Sequence, residues 1–90
     1  MMKLFIVHVG YYDDEIGIYE LHTNFFVVAK DVHEVKQSIL EKEIFKRKQM
    51  HIDAVQEIDV VEGYKVVLSK DESNETKLNS YDYTQMKQIG

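Results

Sequence analysis

Two short segments of this chain carry the side chains that could do chemistry. Glu20 and His22 are two residues apart, and His51 and Asp53 repeat that spacing. Side chains two apart on a β-strand point to the same face of the sheet, so each pair would present an imidazole beside a carboxylate. Two imidazoles with carboxylates are the ligand set of a hydrolytic zinc site or a non-haem iron site. If the two strands are neighbours, we expect all four side chains to converge as a candidate ligand-binding site.

Other interpretations of these histidines stay open at this point. His22 and His51 could instead order the strand ends through hydrogen bonds, or the pairs could serve an acid–base or anion-binding role. His8 falls in the predicted first strand, where a half-buried sheet histidine is the simpler expectation. His33 falls in the first turn of a predicted helix and is expected to be solvated. The sequence assigns no metal, and no cofactor is expected.

Two charged runs are weaker candidates for a site. The acidic residues of Asp13 to Glu15 could bind a hard cation, but they lack the spaced oxygen ligands and central glycine of a calcium loop. A solvated turn is therefore expected there. Lys46 to Lys48 is best explained as cations at the negative end of a helix dipole. No G-x-S-x-G, Walker A or G-x-G-x-x-G pattern is present, so no catalytic residue can be assigned and enzymatic activity stays undecided.

Length, charge and cysteine content narrow the class of protein. Ninety residues suffice for one domain with a thin core, so a single α+β domain over 1–90 is expected, with 70–90 as a polar loop and tail. The net charge of −5 disfavours general nucleic-acid binding. The chain has no cysteine, no signal-peptide pattern and no apolar run of membrane-spanning length. We therefore expect a cytoplasmic protein that binds neither nucleic acid nor membrane.

Residue types, together with capping and turn-forming residues, predict the elements that must position the candidate site. Runs rich in β-branched and aromatic residues predict four strands. Asp31 is a suitable N-cap, and Glu34 three residues later makes a plausible capping box for one amphipathic helix. Phe45 projects from that helix's apolar stripe, so either the helix ends before it or the ring packs elsewhere. Glu62-Gly63 has the composition of a tight hairpin turn. The predicted strands are Leu4 to Val9, Ile18 to Ala29, Ile52 to Val61 and Tyr64 to Ser69.

The order β-β-α-β-β predicts an α+β fold with a four-stranded, mainly antiparallel sheet and one helix packed on one face. The tail is expected either to add an edge strand or to lie across the sheet. The first two strands are apolar at successive positions, a pattern typical of strands buried on both faces. One helix cannot cover both faces. A second copy of the chain, or the tail, is therefore expected to cover the other one.

Several segments in order are similar to those of one known family. They are Lys3-Leu4-Phe5, Ile18 to His22, Phe26 to Val28, Met50 to Ala54 and Val61 to Val66. The family that they resemble consists of small bacterial proteins and is a domain of unknown function, number fifteen-forty-three. Two departures are present: Gly10 is followed by Tyr11 where the family often has a second glycine, and Met50 stands where leucine is usual. The resemblance implies that the four candidate residues lie in the family's motifs, and it implies no activity.

Three hypotheses of function follow from the sequence. The leading one is a non-enzymatic domain that forms a homodimer through its uncovered sheet face. The alternative is a metal- or small-ligand-binding enzyme that uses the His/Glu/Asp residues. The third is a regulatory protein whose acidic loops, Asp13 to Glu15 and Asp71 to Glu75, bind an unidentified basic partner protein.

Overall fold

The computed structural model describes all 90 residues. Its elements are three longer strands, two two-residue strands and three helices. None of the helices has the length and apolar character needed to cross a bilayer. In chain order the elements are β1 (Lys3–Tyr11), β2 (Leu21–Ala29), α1 (Val32–Leu40), α2 (Glu43–Arg47), β3 (His51–Glu57), β4 (Val60–Val61), β5 (Tyr64–Lys65) and α3 (Tyr83–Gln88).

The main sheet has three strands in the order β2-β1-β3, and both outer strands pair antiparallel with β1. The α+β class and the antiparallel sheet are therefore confirmed, whereas the four-stranded sheet is not what the structure contains. β2 and β3 run parallel to each other but are not neighbours, because β1 lies between them. The sequence made a converging site conditional on the adjacency of these two strands, and that condition is not met.

The predicted third strand is divided into β3 and β4, and β4 forms a separate hairpin with β5, the start of the predicted fourth strand. β4 and β5 pair through two register positions around Glu62 and Gly63, whose φ angles are +52° and +83°. Positive φ at both central positions is typical of the tight turn expected from Glu62-Gly63. The four paired residues are all exposed. This hairpin buries no apolar face against the main sheet. No hydrophobic contact therefore stabilises its pairing with that sheet as a fourth strand.

One face of the sheet carries the hydrophobic core. Phe5, Val7 and Val9 alternate along β1 and are almost fully buried. Val35 and Ile39 of α1 belong to the same cluster, and so do residues of β2 and α2. Alternate residues of a strand face opposite sides, so this set defines the core face of the sheet. The core comprises only Phe5, Val7, Val9, Val27, Ala29, Val35, Ile39, Phe45 and Met50.

The predicted helix is divided into two. α1 begins after Asp31, whose carboxylate accepts a hydrogen bond from the Glu34 N–H at 2.9 Å, as expected for an N-cap. The Glu34 carboxylate accepts from the Lys30 N–H rather than from Asp31, so the capping box is displaced by one residue. α1 ends at Leu40, and Phe45 lies in α2 with its ring buried. A break after Leu40 brings the ring into the core, which resolves the two alternatives posed by the sequence.

The other face of the sheet, which we call the open face, is divided into two halves. Along β1 and β2 its paired rungs are Leu4–Val28, Ile6–Phe26, His8–Asn24 and Gly10–His22. The first two rungs are apolar, and the last two are polar or lack a side chain. Phe26 and Val28 are 52% and 53% exposed, so within a single chain this face of β2 is not covered.

The C-terminal tail forms neither an edge strand nor a cover for the open face. It contains the short helix α3, which begins with a capping box at Asp82 and has no buried residue. Leu68 and the following polar loop border Met1, Met2 and Val28 at one end of the sheet. The radius of gyration is 16.0 Å, against about 12 Å for a compact chain of this length. The chain as a whole is therefore extended, and α3 adds nothing to the core.

Candidate functional site

The candidate site lies on the polar half of the open face, where β1 contains a glycine. Gly10 pairs with His22 of β2 on one side and with His51 of β3 on the other. Glu20 immediately precedes β2 rather than lying on it, and Asp53 lies in β3. The four predicted residues therefore come from β2, the residue just before it and β3, on either side of β1, and they meet above β1.

Four short distances join the polar atoms of this group. His51 Nε2 lies 2.9 Å from Glu20 Oε1 and 3.1 Å from Asp53 Oδ1. His22 Nε2 lies 3.2 Å from Glu20 Oε1 and 3.4 Å from Asp53 Oδ2. Each imidazole nitrogen thus faces oxygens of both carboxylates. We call Glu20, His22, His51 and Asp53 the Gly10 cluster.

Gly10 makes this convergence possible because it has no Cβ. A Cβ at that position would lie 2.1 Å from Glu20 Oε1, 2.7 Å from His51 Nε2 and 2.9 Å from Asp53 Oδ2. Real Cβ atoms are essentially never that close to another heavy atom, so an alanine there would displace all three groups. A glycine inside a strand often marks a close approach of this kind. The predicted first strand ended at Val9, so the sequence did not place Gly10 inside a strand.

A β-bulge places Asp53 within reach of the cluster. His8 pairs with Ala54 and Val9 pairs with Ile52, so Asp53 is an extra residue without a partner on β1. A bulge bends its strand and redirects the local side chains. The bulge also lets both Ile52 and Val55 pack against the core, although they are three residues apart.

His8 and Tyr12 extend the cluster. The His8 ring is stacked on that of His22, with centroids 4.9 Å apart and planes 10° from parallel. His8 Nδ1 lies 2.8 Å from Asn24 Oδ1. The Tyr12 hydroxyl donates to Glu20 Oε2 at 3.4 Å. His8 is half-buried, as expected, but its place beside the cluster depends on strand pairing and was not predicted.

The arrangement has more acceptors than protons to satisfy them. Each neutral imidazole carries one N–H, so at most one N–H on each Nε2 serves the two carboxylate oxygens that face it. A divalent ion could instead bind donors of this group, because one ligand atom each from Glu20, His51 and Asp53 lies within 4.8 Å of the other two. Ligand atoms about 2.0–2.2 Å from one ion are separated by about 3.0–3.5 Å, close to the observed 2.9–3.4 Å. Two imidazoles with two carboxylates suit zinc, iron or manganese.

The cluster is accessible from solvent. The side chains of His22 and His51 are 44% and 49% exposed, and those of Glu20 and Asp53 are 31% and 32% exposed. A structural zinc site is usually closed by four protein ligands in a buried setting, whereas an accessible site keeps positions for water or substrate. The exposure therefore favours an ion that exchanges with solution.

The other candidates from the sequence form ordinary surface contacts. Asp13 accepts a hydrogen bond from Lys48 Nζ at 2.9 Å and one from the Glu15 N–H. The Lys48 ammonium, followed by the Glu15 N–H, lowers the pKa of Asp13 below its ordinary value of 3.8.

Lys46 and Arg47 lie in the last turn of α2, where cations are favourable. In the other acidic loop, hydrogen bonds from Ser73 lower the pKa of Asp71. His33 is exposed on α1, as expected.

Comparison with known proteins gives one match. The model of a family described as Domain of Unknown Function (DUF1543) matches residues 17–68, which is more than half of the chain. The matched segment contains all four residues of the Gly10 cluster, whereas His8 and Gly10 precede it. No curated protein and no solved structure matches the chain.

Proposed function

This chain belongs to the DUF1543 family, and we propose that it binds a divalent transition-metal ion at the Gly10 cluster. The observation that carries the proposal is a set of four contacts of 2.9–3.4 Å that join the Nε2 atoms of His22 and His51 to the carboxylates of Glu20 and Asp53. The family description assigns no activity, so the proposal depends on this geometry and on the donor chemistry.

The position of Gly10 supports an ion more than a set of hydrogen bonds. Hydrogen bonds that order strand ends need one donor and one acceptor each, and they do not require an empty position in the central strand. Here one Cβ would displace three of the four polar groups. Only a glycine at this position leaves room for the nitrogen and oxygen donors above β1. A metal ion with ligand bonds of about 2 Å needs donors that approach this closely.

Removal of two ligands tests this function. We expect His22→Ala/His51→Ala to weaken zinc binding by about 100-fold or more, because each ligand imidazole is lost outright. Untagged full-length chain would be treated with a chelator, dialysed and titrated with zinc by calorimetry. His33→Ala removes an exposed histidine from α1 and is the matched control, with zinc affinity unchanged.

Thermal unfolding gives an independent readout of the same proposal. Zinc at 100 times its dissociation constant should stabilise the wild-type chain by about 2.7 kcal/mol and leave the double variant unaffected. Failure of zinc, iron(II) and manganese(II) all to bind, or equal zinc binding by wild type and double variant, would contradict the proposal.

A second candidate function is self-association through the apolar half of the open face. Leu4, Ile6, Phe26 and Val28 form two adjacent rungs without a charged side chain, and Phe26 and Val28 are half-exposed. The tail does not cover them. A two-fold axis would place this patch on the same patch of a second copy, so both would be covered by one symmetric contact.

A charge on this patch tests the homodimer. We expect Phe26→Asp to raise the dissociation constant of the dimer at least about 10-fold, because an unpaired carboxylate would be desolvated in the contact. Light scattering over a dilution series measures the mass. Val60→Asp places the same charge at an exposed apolar residue of the separate hairpin and should leave the dimer unchanged. A wild-type chain that stays monomeric at high micromolar concentration would exclude this function.

A further inference from the structure

The core face of the sheet has an apolar groove beside β3. α1 packs mainly against β2, which is one edge of the sheet, whereas β3 is the other edge. Ile52 and Val55 of β3 pack against the core but are only partly buried. The helix therefore leaves the core side of β3 uncovered, and a groove of about 500 Å³ lies there.

The lining of this groove is mostly aliphatic. Val32 and Leu40 lie on the same side of α1 as Lys36, because residues four apart on a helix are neighbours on its surface. Val32 and Leu40 are 57% and 42% exposed. The volume and the apolar lining are both typical of sites for small molecules. The six apolar residues of the lining are Val32, Leu40, Phe45, Met50, Ile52 and Val55.

Two polar side chains, Lys36 and His51, complete the lining. His51 Nε2 already contacts Glu20 and Asp53 of the Gly10 cluster. The Lys36 ammonium forms no ion pair, and no acidic residue lines the groove. Lys36 is therefore the charged group of the lining that is available to a ligand, and its charge is positive.

We propose that this groove binds a free fatty acid, with the alkyl chain on Ile52 and Val55 and the carboxylate at Lys36. An alkyl chain has no hydrogen-bonding groups, so an aliphatic lining leaves none of its atoms unsatisfied, and its burial is favourable. A second copy of the chain fits this groove less well. A two-fold contact there would bring two Lys36 side chains together without a carboxylate between them.

Titration of the metal-free, full-length chain with decanoate below its micellar concentration tests the site. We expect saturable binding that shifts the methyl NMR signals of Ile52 and Val55, but not those of Ile6 and Val28 on the open face. Octanoate should bind more weakly than decanoate, by about fourfold for each methylene removed. Decyltrimethylammonium has the same chain with a cationic head group, and it should bind at least about fivefold more weakly than decanoate.

Two variants separate the apolar wall from the cation. Val32 is the first residue of α1, where a carboxylate is compatible with the helix dipole, so Val32→Asp should fold. We expect it to weaken decanoate binding at least about 10-fold, because its carboxylate would be desolvated beside the ligand. His33→Asp adds the same charge at the next residue, outside the lining, and should bind like the wild type. Lys36→Gln should bind decanoate and decyltrimethylammonium with similar affinity.

The outcomes that overturn the proposal are distinct from those that test the metal site, because no metal is present. Absence of saturable decanoate binding would overturn it, and so would equal affinity of Val32→Asp and His33→Asp. Equal binding of the two head groups by the wild type would remove the role of Lys36. Methyl signals of Ile52 and Val55 that change on dilution of the ligand-free chain would show that a second copy covers the groove instead.

Discussion

Replacing Gly10 by alanine is expected to weaken zinc binding at the Gly10 cluster by about 100-fold or more without unfolding the chain. The added Cβ would fall 2.1 Å from Glu20 Oε1, 2.7 Å from His51 Nε2 and 2.9 Å from Asp53 Oδ2. These atoms are the ends of flexible side chains, so they can move away at little cost to the backbone. The donors would then be separated, although every one of them is still present.

The Gly10→Ala variant is expected to lose zinc affinity while its free energy of unfolding stays nearly unchanged. This combination distinguishes loss of the site from loss of the fold. The φ angle of Gly10 lies outside the left-handed region, so alanine fits the strand without strain. Alanine also reduces the conformational entropy of the unfolded chain. We therefore expect the metal-free variant to unfold within about 1 kcal/mol of the metal-free wild type.

Zinc titration by calorimetry and urea unfolding by circular dichroism together measure both effects. Gly17→Ala is the matched control, because a Cβ there would have no neighbour within 4 Å. It should bind zinc like the wild type. If Gly10→Ala also bound zinc with wild-type affinity, the ion would have to lie elsewhere, and the proposed site would be wrong.

The second large effect is expected in the core. Phe5→Ala should lower the free energy of unfolding by about 3–5 kcal/mol, because it removes a ring that is 1% exposed from a cluster of nine residues. A domain of this size has a total stability of about 5–13 kcal/mol, so the variant loses a large share of it. Urea unfolding of the metal-free chain measures the loss.

Phe26→Ala is the control for this core prediction. Phe26 is the same residue type on a neighbouring strand, but it faces the open side of the sheet and is 52% exposed. At protein concentrations where the chain is monomeric, we expect its loss to cost less than about 1 kcal/mol. Equal costs for the two variants would mean that the core face and the open face have been assigned the wrong way round.

The sequence determined the elements whose signals are local. The β-branched runs placed most of β1 and all of β2, Asp31 marked the start of α1, and Glu62-Gly63 marked a hairpin turn. These features depend on backbone preference, capping and the period of side-chain alternation, all of which act within a few residues. The α+β class follows from them. The residue types of the candidate site were also visible, because spacing by two is itself a local property.

Only the tertiary structure decided which strands are neighbours and how the site is assembled. The sequence predicted convergence through adjacent strands, whereas His22 and His51 in fact meet across β1. That meeting depends on the pairing of Gly10 with His22, 12 positions along the chain, and with His51, 41 positions along, and on the missing Cβ of Gly10. Strand order is set by the burial of whole faces rather than by local preference, so composition could not supply it. The same pairing brought His8 and Asn24 beside the cluster and left Phe26 on the open face.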